Sequence, residues 1–422
     1  MGGGLMQLVA YGAQDVFLTG NPSISFFKIV YRRHTNFAIE AIEQTFNGTV
    51  NFGNKITTTI SRNGDLITNC WLEVIVSGVD TSHLVNSFGH AFIEYVELEI
   101  GGQRIDKHYG EYLEILTEHT LPEEKRSGFK EMIGIREATG SNFELQPTQD
   151  PNTSANAKFY IPLQFFFNRN PGLALPLIAL QYHEVKLNLK IRDHRELHNR
   201  DQSTTGTFDN ASLSVRMYVD YVYLDTDERR RYAQMSHEYL IEQLQHTGPE
   251  TCSENNHRLN FNHPVKELIW VVREKHENVA GKGPVDFGGS AFVTDSYNVD
   301  NPYSTASSDV FETCKLQLNG HDRFSEREAS YFRLVQPYQH HTRIPRKYIY
   351  SYSFALNPES HQPSGSCNFS RLDNVTLILS GLRQLSGQQS DGASTGNELL
   401  VYAVNYNVLR IMSGMGGLAY SN

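Results

Sequence analysis

The fold class of this chain is decided by the stretch Glu97-Leu98-Glu99-Ile100-Gly101-Gly102-Gln103-Arg104-Ile105-Asp106. Apolar and charged residues alternate up to Ile100, which is the period of a strand with one buried face, and two consecutive glycines supply the positive φ angles of a two-residue hairpin turn. The stretch therefore predicts a strand, a tight turn and a second strand. The same pattern recurs at Lys315-Leu316-Gln317-Leu318-Asn319-Gly320-His321-Asp322-Arg323-Phe324, with Asn-Gly at the turn. A hairpin that recurs so far along the chain suggests an internal duplication.

Three further pairs of similar segments occur in the same order in both halves of the chain. They are Ile39–Gln44 with Ile241–Gln245, the β-rich runs around the only two tryptophans, Trp71 and Trp270, and Val219–Leu224 with Val404–Leu409. The separation drifts, from 202 residues for the first pair (241 − 39) to 185 for the last (404 − 219). Two copies whose loops changed length independently would give such a drift. The sequence therefore predicts two related halves.

Composition excludes several classes of protein. A chain of 422 residues suits two domains of about 200 residues. Its net charge of −10 argues against a dedicated nucleic-acid binder, which needs a basic face for phosphates. The longest apolar run, around Leu173 to Leu180, contains a proline and is far shorter than the ~20 residues that span a bilayer. We expect no secretory signal, and four widely spaced cysteines indicate reduced thiols.

Between the strand-like segments lie regions of different character. Residues 1–25 predict an arm outside the first core, and the basic cluster after them, Arg32-Arg33-His34, predicts either a solvated strand end or a contact with an acidic or lipid-headgroup surface. Residues 107–158 look helical at first and then polar, and such a long excursion from a β core is expected at the surface. The loops 276–309 and 380–397 are expected as exposed tips, and the small-residue end after Arg410 as a flexible tail.

The pattern as a whole predicts an all-β fold with long loop insertions and short helices. Short strands punctuated by turns predict a sandwich or barrel, and about 200 residues per copy suits an eight-stranded jelly roll. Composition alone leaves tandem immunoglobulin-like domains open. We predict an N-terminal arm at 1–25, a first jelly roll at 26–224 and a second at 225–422. Asp225, with Glu228 three residues later, predicts a capped helix at the junction.

No motif for catalysis, metal binding or cofactor binding emerges from the sequence. It contains no Gly-x-Ser-x-Gly elbow, no phosphate loop and no His-Glu-x-x-His. His340 and His341 are adjacent and would point to opposite faces of a strand, so a loop position is favoured over chelation. We therefore expect a protein that is not an enzyme and has no cofactor. The alternative is a carbohydrate-binding or hydrolytic β-sandwich, which would need an aromatic platform with paired carboxylates in one cleft.

Several long motifs resemble the major capsid proteins of large nucleocytoplasmic DNA viruses, most closely the algal-virus members. The resemblance covers nearly the whole chain and departs mainly in residues 107–158, 276–309 and 382–398. Six motifs carry it. They are Ala10-Tyr11-Gly12-Ala13-Gln14-Asp15-Val16-Phe17-Leu18-Thr19-Gly20-Asn21-Pro22, Tyr31-Arg32-Arg33-His34-Thr35-Asn36-Phe37, Pro171 to Val185, Ser353-Phe354-Ala355-Leu356-Asn357-Pro358, Gln362 to Arg371 and Asn405 to Gly414.

The resemblance implies a double jelly roll, a homotrimeric capsomer and an icosahedral shell around an internal membrane, assembled in the host cytoplasm. Its implied partners are further copies of the chain, minor capsid proteins and the membrane surface, with no direct contact to nucleic acid. Arg32 and Arg33 are expected at the inner face of the shell. Algal members carry glycans on loop asparagines, and the candidates in comparable loops here are Asn278, Asn298, Asn301 and Asn397.

Overall fold

The structure is a computed structural model. It describes residues 3–78, 84–135, 137–139, 142–144, 156–197, 211–252, 255–274, 283–285, 287, 309–382 and 396–420. The chain forms two compact units, Met1–Phe37 and Ala38–Asn422. In the first unit the described residues form two short helices, α1 (Gly3–Val9) and α2 (Val16–Thr19), none of whose side chains is buried. Within the described ranges, no helix has the length and apolar character needed to cross a membrane.

The second unit is built mainly from antiparallel strands. In the first half these are β1 (Phe37–Gln44), β2 (Lys55–Thr59), β3 (Leu66–Ser77), β4 (Ile93–Ile100), β5 (Gln103–Tyr109), β6 (Glu137–Thr139), β7 (Asn142–Glu144), β8 (Asn156–Pro162), β9 (Leu175–Pro176), β10 (Val185–Ile191) and β11 (Ser212–Leu224). In the second half they are β12 (His237–His246), β13 (Glu250–Thr251), β14 (Asn256–Arg258), β15 (Pro264–Glu274), β16 (Thr313–Leu318), β17 (His321–Asp322), β18 (Arg327–Glu328), β19 (Ile349–Ser353), β20 (Cys367–Asn368), β21 (Val375–Ser380), β22 (Asn397–Met412) and β23 (Met415–Leu418).

Helices are short and lie between strands. They are α3 (Phe88–Phe92), α4 (Gly110–Thr120), α5 (Glu123–Ile133), α6 (Phe166–Arg169), α7 (Thr226–Gln234) and α8 (Gln336–His340), and a π-helical turn, Tyr331–Val335, runs directly into α8. The helix predicted at the junction is confirmed as α7, and the side chain of Asp225 accepts a hydrogen bond from the backbone N–H of Thr226 at its start.

The two halves repeat one strand order. Sheet 1 has the order β1-β11-β3-β8 and sheet 2 the order β2-β10-β4-β5, whereas sheet 3 has the order β12-β22-β15-β19 and sheet 4 the order β14-β21-β16-β17. Short strands extend three of them: β9 pairs with β3, β13 and β23 with β22, β20 with β15, and β18 with β16. Each half is therefore an eight-stranded jelly roll, and the chain is a double jelly roll. This confirms the all-β prediction.

The four pairs of similar segments lie on equivalent strands. The hairpins are β4–β5 and β16–β17, the tryptophans lie in β3 and β15, and the other two pairs lie in β1 with β12 and in β11 with β22. At the tryptophans, the residue-by-residue match from the sequence differs by one residue from the match in the structure. Trp71 is half-buried and stacks on Tyr218, whereas Trp270 is buried in the second core. Since successive strand residues face opposite sides, a shift of one residue exchanges the faces.

The register of strand pairing supplies the correct equivalence. In the first half Trp71 pairs with Tyr218, and in the second half Ile269 pairs with Tyr402. A β-bulge follows in both sheets, between Val219 and Tyr221 in β11 and between Val265 and Glu267 in β15. Adding 198 to the residue numbers of β3 gives the equivalent residues of β15, and adding 184 to those of β11 gives the equivalent residues of β22. With these two shifts, both the strand pairing and the bulge coincide. Trp71 is thus equivalent to Ile269, and Tyr218 to Tyr402.

Sheet 3 is buried on both faces, unlike sheet 1. The face made by Leu268, Trp270, Val401 and Ala403 packs into the core of the second jelly roll. The opposite face, made by Ile241, Ile269, Val271, Leu400, Tyr402 and Val404, belongs to the large apolar cluster of the first jelly roll. We call the contact of this outer face of sheet 3 with β5 and α4 the seam. It joins the two jelly rolls of one chain.

Two expectations about exposure are wrong. The start of the 107–158 excursion is not at the surface, because α4 is almost entirely buried in the seam. The C-terminal end does not form a free tail through the described residues, because β23 pairs with β22 and contacts the first jelly roll. The backbone N–H of Tyr182 donates to the carbonyl of Gly414, and that of Leu418 donates to Oε1 of Gln103. These contacts fasten the last strand across the first hairpin.

Candidate assembly surfaces

The described residues show neither a metal-binding cluster nor a reactive thiol. In those ranges no group of three or more His, Cys, Asp or Glu side chains is arranged to hold a metal ion. Burial raises the pKa of the Cys70 thiol to about 12 and that of the Cys252 thiol to about 11. Such thiols are protonated at neutral pH and are poor nucleophiles.

Aromatic rings form the apolar part of the seam. Tyr112 of α4 faces Tyr402 of β22 with ring centroids 5.8 Å apart, and Tyr109 of β5 meets His246 edge-on at 4.9 Å. The backbone also takes part, since the side-chain amide of Gln243 donates to the carbonyl of Ile105. Offset and edge-to-face aromatic pairs add to the free energy of simple area burial. The seam is thus packed like a domain core.

Buried ion pairs form the polar part of the seam. Oε1 of Glu111 lies 2.9 Å from Nη2 of Arg192 in the first jelly roll and 2.9 Å from Nη1 of Arg273 in the second. Burial by itself raises the pKa of Glu111, but the two arginines outweigh it and hold this pKa at about 2. The carboxylate is therefore charged at any physiological pH and links the two arginines across the seam.

A second carboxylate of α4 repeats this arrangement one turn later. Glu114 lies 2.5 Å from Nδ1 of His90 and 2.7 Å from Nζ of Lys347. Burial raises the pKa of Glu114, but Lys347 and His90 outweigh it and bring the pKa below its usual range. Since Glu111 and Glu114 are three residues apart, they lie on the same side of the helix. This side of α4 is acidic and its partners across the seam are basic.

A pair of buried histidines lies further along the seam. The rings of His119 and His341 are 4.3 Å apart, and His341 is flanked by Glu267 at 3.5 Å and Glu359 at 3.2 Å. Burial lowers the pKa of His119 well below its usual value, and His341 and Arg343 lower it further. The pair borders a cavity of about 600 Å³ that is lined by both apolar and polar side chains. His341 lies in the loop directly after α8, as predicted, whereas His340 is the last residue of α8, so its predicted loop position is wrong.

The outer face of sheet 1 carries half-exposed aromatic and charged side chains. Trp71 stacks on Tyr218 at 5.7 Å, and Lys158 pairs with Glu73 at 2.8 Å. The same face includes Ile39, which is 56% exposed. Sheet 3, its equivalent in the second jelly roll, has the corresponding face buried in the seam.

The sequence-predicted site residues fall in different places. Arg32 and Arg33 are exposed in the first unit. Asn278, Asn298 and Asn301 lie outside the described residues. Asn397 is the first residue of strand β22 and is only 5% exposed, so its predicted loop position is wrong. Its glycosylation stays a prediction that burial disfavours.

The seam was missed by the sequence analysis. Its signal was present, because β22 reads as apolar on both faces from Leu399 to Val404, and a strand with two apolar faces is buried on both. The acidic spacing of Glu111, Glu114 and Glu118 instead suggested a solvated helix.

Comparisons with known proteins agree with this architecture. Residues 25–225 match the family model described as major capsid protein N-terminus, and residues 228–417 match the one described as large eukaryotic DNA virus major capsid protein. The major capsid protein of Pyramimonas orientalis virus is 50% identical over the full length of both chains. The chain belongs to the family of major capsid proteins of large eukaryotic DNA viruses. The family member from Paramecium bursaria Chlorella virus 1 is 46% identical, again over both full lengths.

Solved structures of this capsid protein family support the same conclusion. The crystal structure of PBCV-1 VP54 shares 41% identity and a TM-score of 0.76, covering 94% of this chain and all of the other. The Faustovirus major capsid protein, at 14% identity and a TM-score of 0.69, shares the fold over 95% of this chain. The relatives are structural capsid proteins and not enzymes, so the chain is a structural component of the virion capsid. The carbohydrate-binding and hydrolytic alternative is not supported.

Proposed function

We propose that three copies of this chain form a closed, pseudo-hexagonal capsomer, and that these capsomers tile an icosahedral shell around an internal membrane. The observation that carries the proposal is the repeated strand order of the two jelly rolls. Three chains with two similar domains each supply six similar wedges. A heterologous contact whose rotation closes makes a ring, and a nearly six-fold ring tiles a surface by repeated edge contacts.

The solution mass of the purified protein tests the proposal. One chain has a mass of 47.9 kDa, so a trimer has 3 × 47.9 = 143.7 kDa. Light scattering coupled to gel filtration should give the trimer mass, unchanged on dilution across the micromolar range. A well-behaved monomer would contradict the capsomer, although it would leave the double jelly roll intact.

The N-terminal unit, which comprises the arm and the basic cluster after it, is proposed to face inward, toward the membrane or minor capsid proteins. It combines exposed apolar side chains with a basic cluster: Phe17, Phe26 and Phe27 are exposed, Phe27 to 99%, and Arg32 and Arg33 lie close behind them. Residues 1–37 hold three cationic side chains and one anionic one, whereas the whole chain has a net charge of −10. Apolar and basic residues together suit an anionic lipid surface.

Charge reversal tests the arm. The trimer of Arg32→Glu/Arg33→Glu should lose co-sedimentation with phosphatidylserine-containing vesicles. The matched control is the variant Arg230→Glu/Arg231→Glu on α7, where Arg230 is 71% exposed. This control should bind the vesicles like wild type. Equal binding of all three proteins would remove the lipid role and leave minor capsid proteins as the partner.

Three finer points also stand as proposals. The chain divides into an arm at 1–25 and jelly rolls at 26–224 and 225–422, which the two family matches support through their break at 225–228. Assembly takes place in the host cytoplasm. Glycans are carried by Asn278, Asn298 and Asn301, and mass spectrometry of tryptic peptides from virions would test each asparagine separately.

A further inference from the structure

The seam inside one chain provides a template for the contact between two chains. In the seam, the outer face of sheet 3 is covered by β5 and by α4, the helix that follows it. The first jelly roll offers the equivalent sheet face, and the second offers the equivalents of β5 and α4. Within one chain these two surfaces are not joined to each other by any contact recorded among the described residues.

The equivalent of β5 and α4 follows from strand register. Tyr95 pairs with Tyr109 at the end of β5, and Thr313 pairs with Glu328 at the end of β18. The strands β17 and β18 together therefore correspond to β5, and the residues after Glu328 correspond to those after Tyr109. A shift of 219 residues (328 − 109) relates the two segments. It carries α4 onto the π-turn and α8.

This shift aligns seam-facing side chains of α4 with side chains of the second half that are half-buried at Tyr331 and exposed at Val335 and Tyr338. Tyr112 corresponds to Tyr331, Leu116 to Val335 and His119 to Tyr338. The first residue of each of the three pairs is buried, whereas Tyr338 is 78% exposed and Val335 is 39% exposed. Both lie on one side of the helical segment, since they are three residues apart. Apolar side chains exposed in this pattern indicate a missing partner.

The sheet face of the first jelly roll shows the complementary pattern. Ile39, which is 56% exposed, corresponds to Ile241, which is fully buried in the seam, and half-buried Tyr218 corresponds to fully buried Tyr402. We propose that the outer face of sheet 1, carried by Ile39, Trp71 and Tyr218, docks against the segment 323–340 of a second copy of this chain. The inference rests on the proposed capsomer and names its interface.

The template also specifies which residues of the two chains meet. In the seam, the Gln243 side chain donates to the carbonyl of Ile105, and the Leu244 N–H donates to Asp106. The sequence match of β1 with β12 makes Ala41 the equivalent of Gln243. Arg323 is the equivalent of Asp106, because Asp106 pairs with Leu98 and the backbone N–H of Arg323 donates to Leu316, the counterpart of Leu98. Ala41 of one chain should therefore lie beside Arg323 of the next. Both are exposed within one chain.

Cross-linking of mixed chains tests this neighbourhood. Chains with Ala41→Cys and chains with Arg323→Cys, differently tagged, are co-expressed and treated with a short bismaleimide. The mixture should give covalently linked pairs that carry both tags, and neither variant alone should. The matched control replaces Arg323→Cys by Asp227→Cys, which is 95% exposed but lies on α7. Wild type treated alike controls for the native cysteines, three of which are buried.

A disruption experiment separates this interface from the capsomer as such. Ile39→Asp should reduce the assembly from three chains to one, whereas Met235→Asp, at 57% exposure, should leave it a trimer. Circular dichroism checks that both variants fold. One outcome is that wild type is a trimer, that Ile39→Asp is also a trimer and that no mixed cross-link forms. In that case the proposed interface is wrong, whereas the trimeric capsomer stands. If wild type itself is a monomer, the capsomer and the interface both fail.

Discussion

Glu111 links a buried charged side chain of each jelly roll. It is buried between Arg192 and Arg273, each 2.9 Å away. Replacing both partners of a buried ion pair by apolar groups is often tolerated, but removing one partner leaves the other charge without compensation. The two arginines therefore make the seam sensitive to this one carboxylate.

Glu111→Gln should cost about 3–5 kcal/mol of the free energy of unfolding. Urea denaturation followed by tryptophan fluorescence would measure it as a lower midpoint. The control is Asp227→Asn, whose side chain is 95% exposed and lies 3.9 Å from Arg230. An exposed pair of this kind contributes at most about 1 kcal/mol. Equal midpoints for the two variants would contradict the role of Glu111.

The histidine pair predicts that the protein is less stable in mild acid. The folded-state pKa of His119 is lowered by burial and by His341 and Arg343, so the unfolded state takes up a proton first. The stability it contributes is present above its unfolded pKa of about 6.5 and is lost as the pH falls below that value. Glu111, with its pKa of about 2, loses its contribution only between about pH 4.5 and pH 2.

His119→Gln should therefore flatten the pH dependence between pH 7 and pH 5. Thermal unfolding of wild type should shift to lower temperature across this interval, and the variant should shift less. The exposed His321→Gln serves as the control and should behave like wild type. A wild-type unfolding temperature that stays constant from pH 7 to pH 5 would count against the account.

At the scale of elements, local turn chemistry was readable from sequence and long-range packing was not. The β4–β5 and β16–β17 hairpins were predicted because alternation and Gly-Gly or Asn-Gly turns are local signals. The burial of α4 was not, because its Glu111, Glu114 and Glu118 look like a solvated face until Arg273, Lys347 and Arg343 arrive from the second jelly roll. Partners more than a hundred residues away in sequence leave no periodic signal.

The first hairpin turn offers a matched pair of glycine substitutions. Gly101 and Gly102 both have positive φ, 59° and 85°, so alanine is strained at either position. A Cβ on Gly101 would also lie 2.3 Å from Nδ1 of His183, whereas a Cβ on Gly102 meets nothing within 4 Å. We expect Gly102→Ala to cost about 1 kcal/mol and Gly101→Ala at least about twice that.

Thermal unfolding of the two variants side by side gives the comparison. His183 also contacts Gly416 of the last strand, since its Nδ1 lies 3.0 Å from that carbonyl. Displacing His183 should therefore loosen β23 as well, which proteolysis of the C-terminus would detect. If Gly101→Ala is as stable as Gly102→Ala or more stable, close packing of β23 on the first hairpin does not contribute to the stability of the protein.

At the scale of the whole molecule, the duplication was predicted, and its consequence for the seam was not. Four pairs of segments lie on equivalent strands, yet in two of the pairs the sequence match differs by one residue from the structural match. The sequence match aligned the two tryptophans, whereas the structural match is set by strand pairing and by the β-bulges. Only the paired strands reveal that Trp71 is equivalent to Ile269. This equivalence shows that the same sheet face is buried in the second jelly roll and exposed in the first.

Images of single particles test the central claim most directly. Negative-stain class averages of the purified wild-type protein should show a six-lobed outline with three-fold symmetry, because two similar but unequal jelly rolls alternate around the ring. Two-lobed particles of one chain would contradict the claim that the duplicated jelly rolls exist to form a pseudo-hexagonal capsomer.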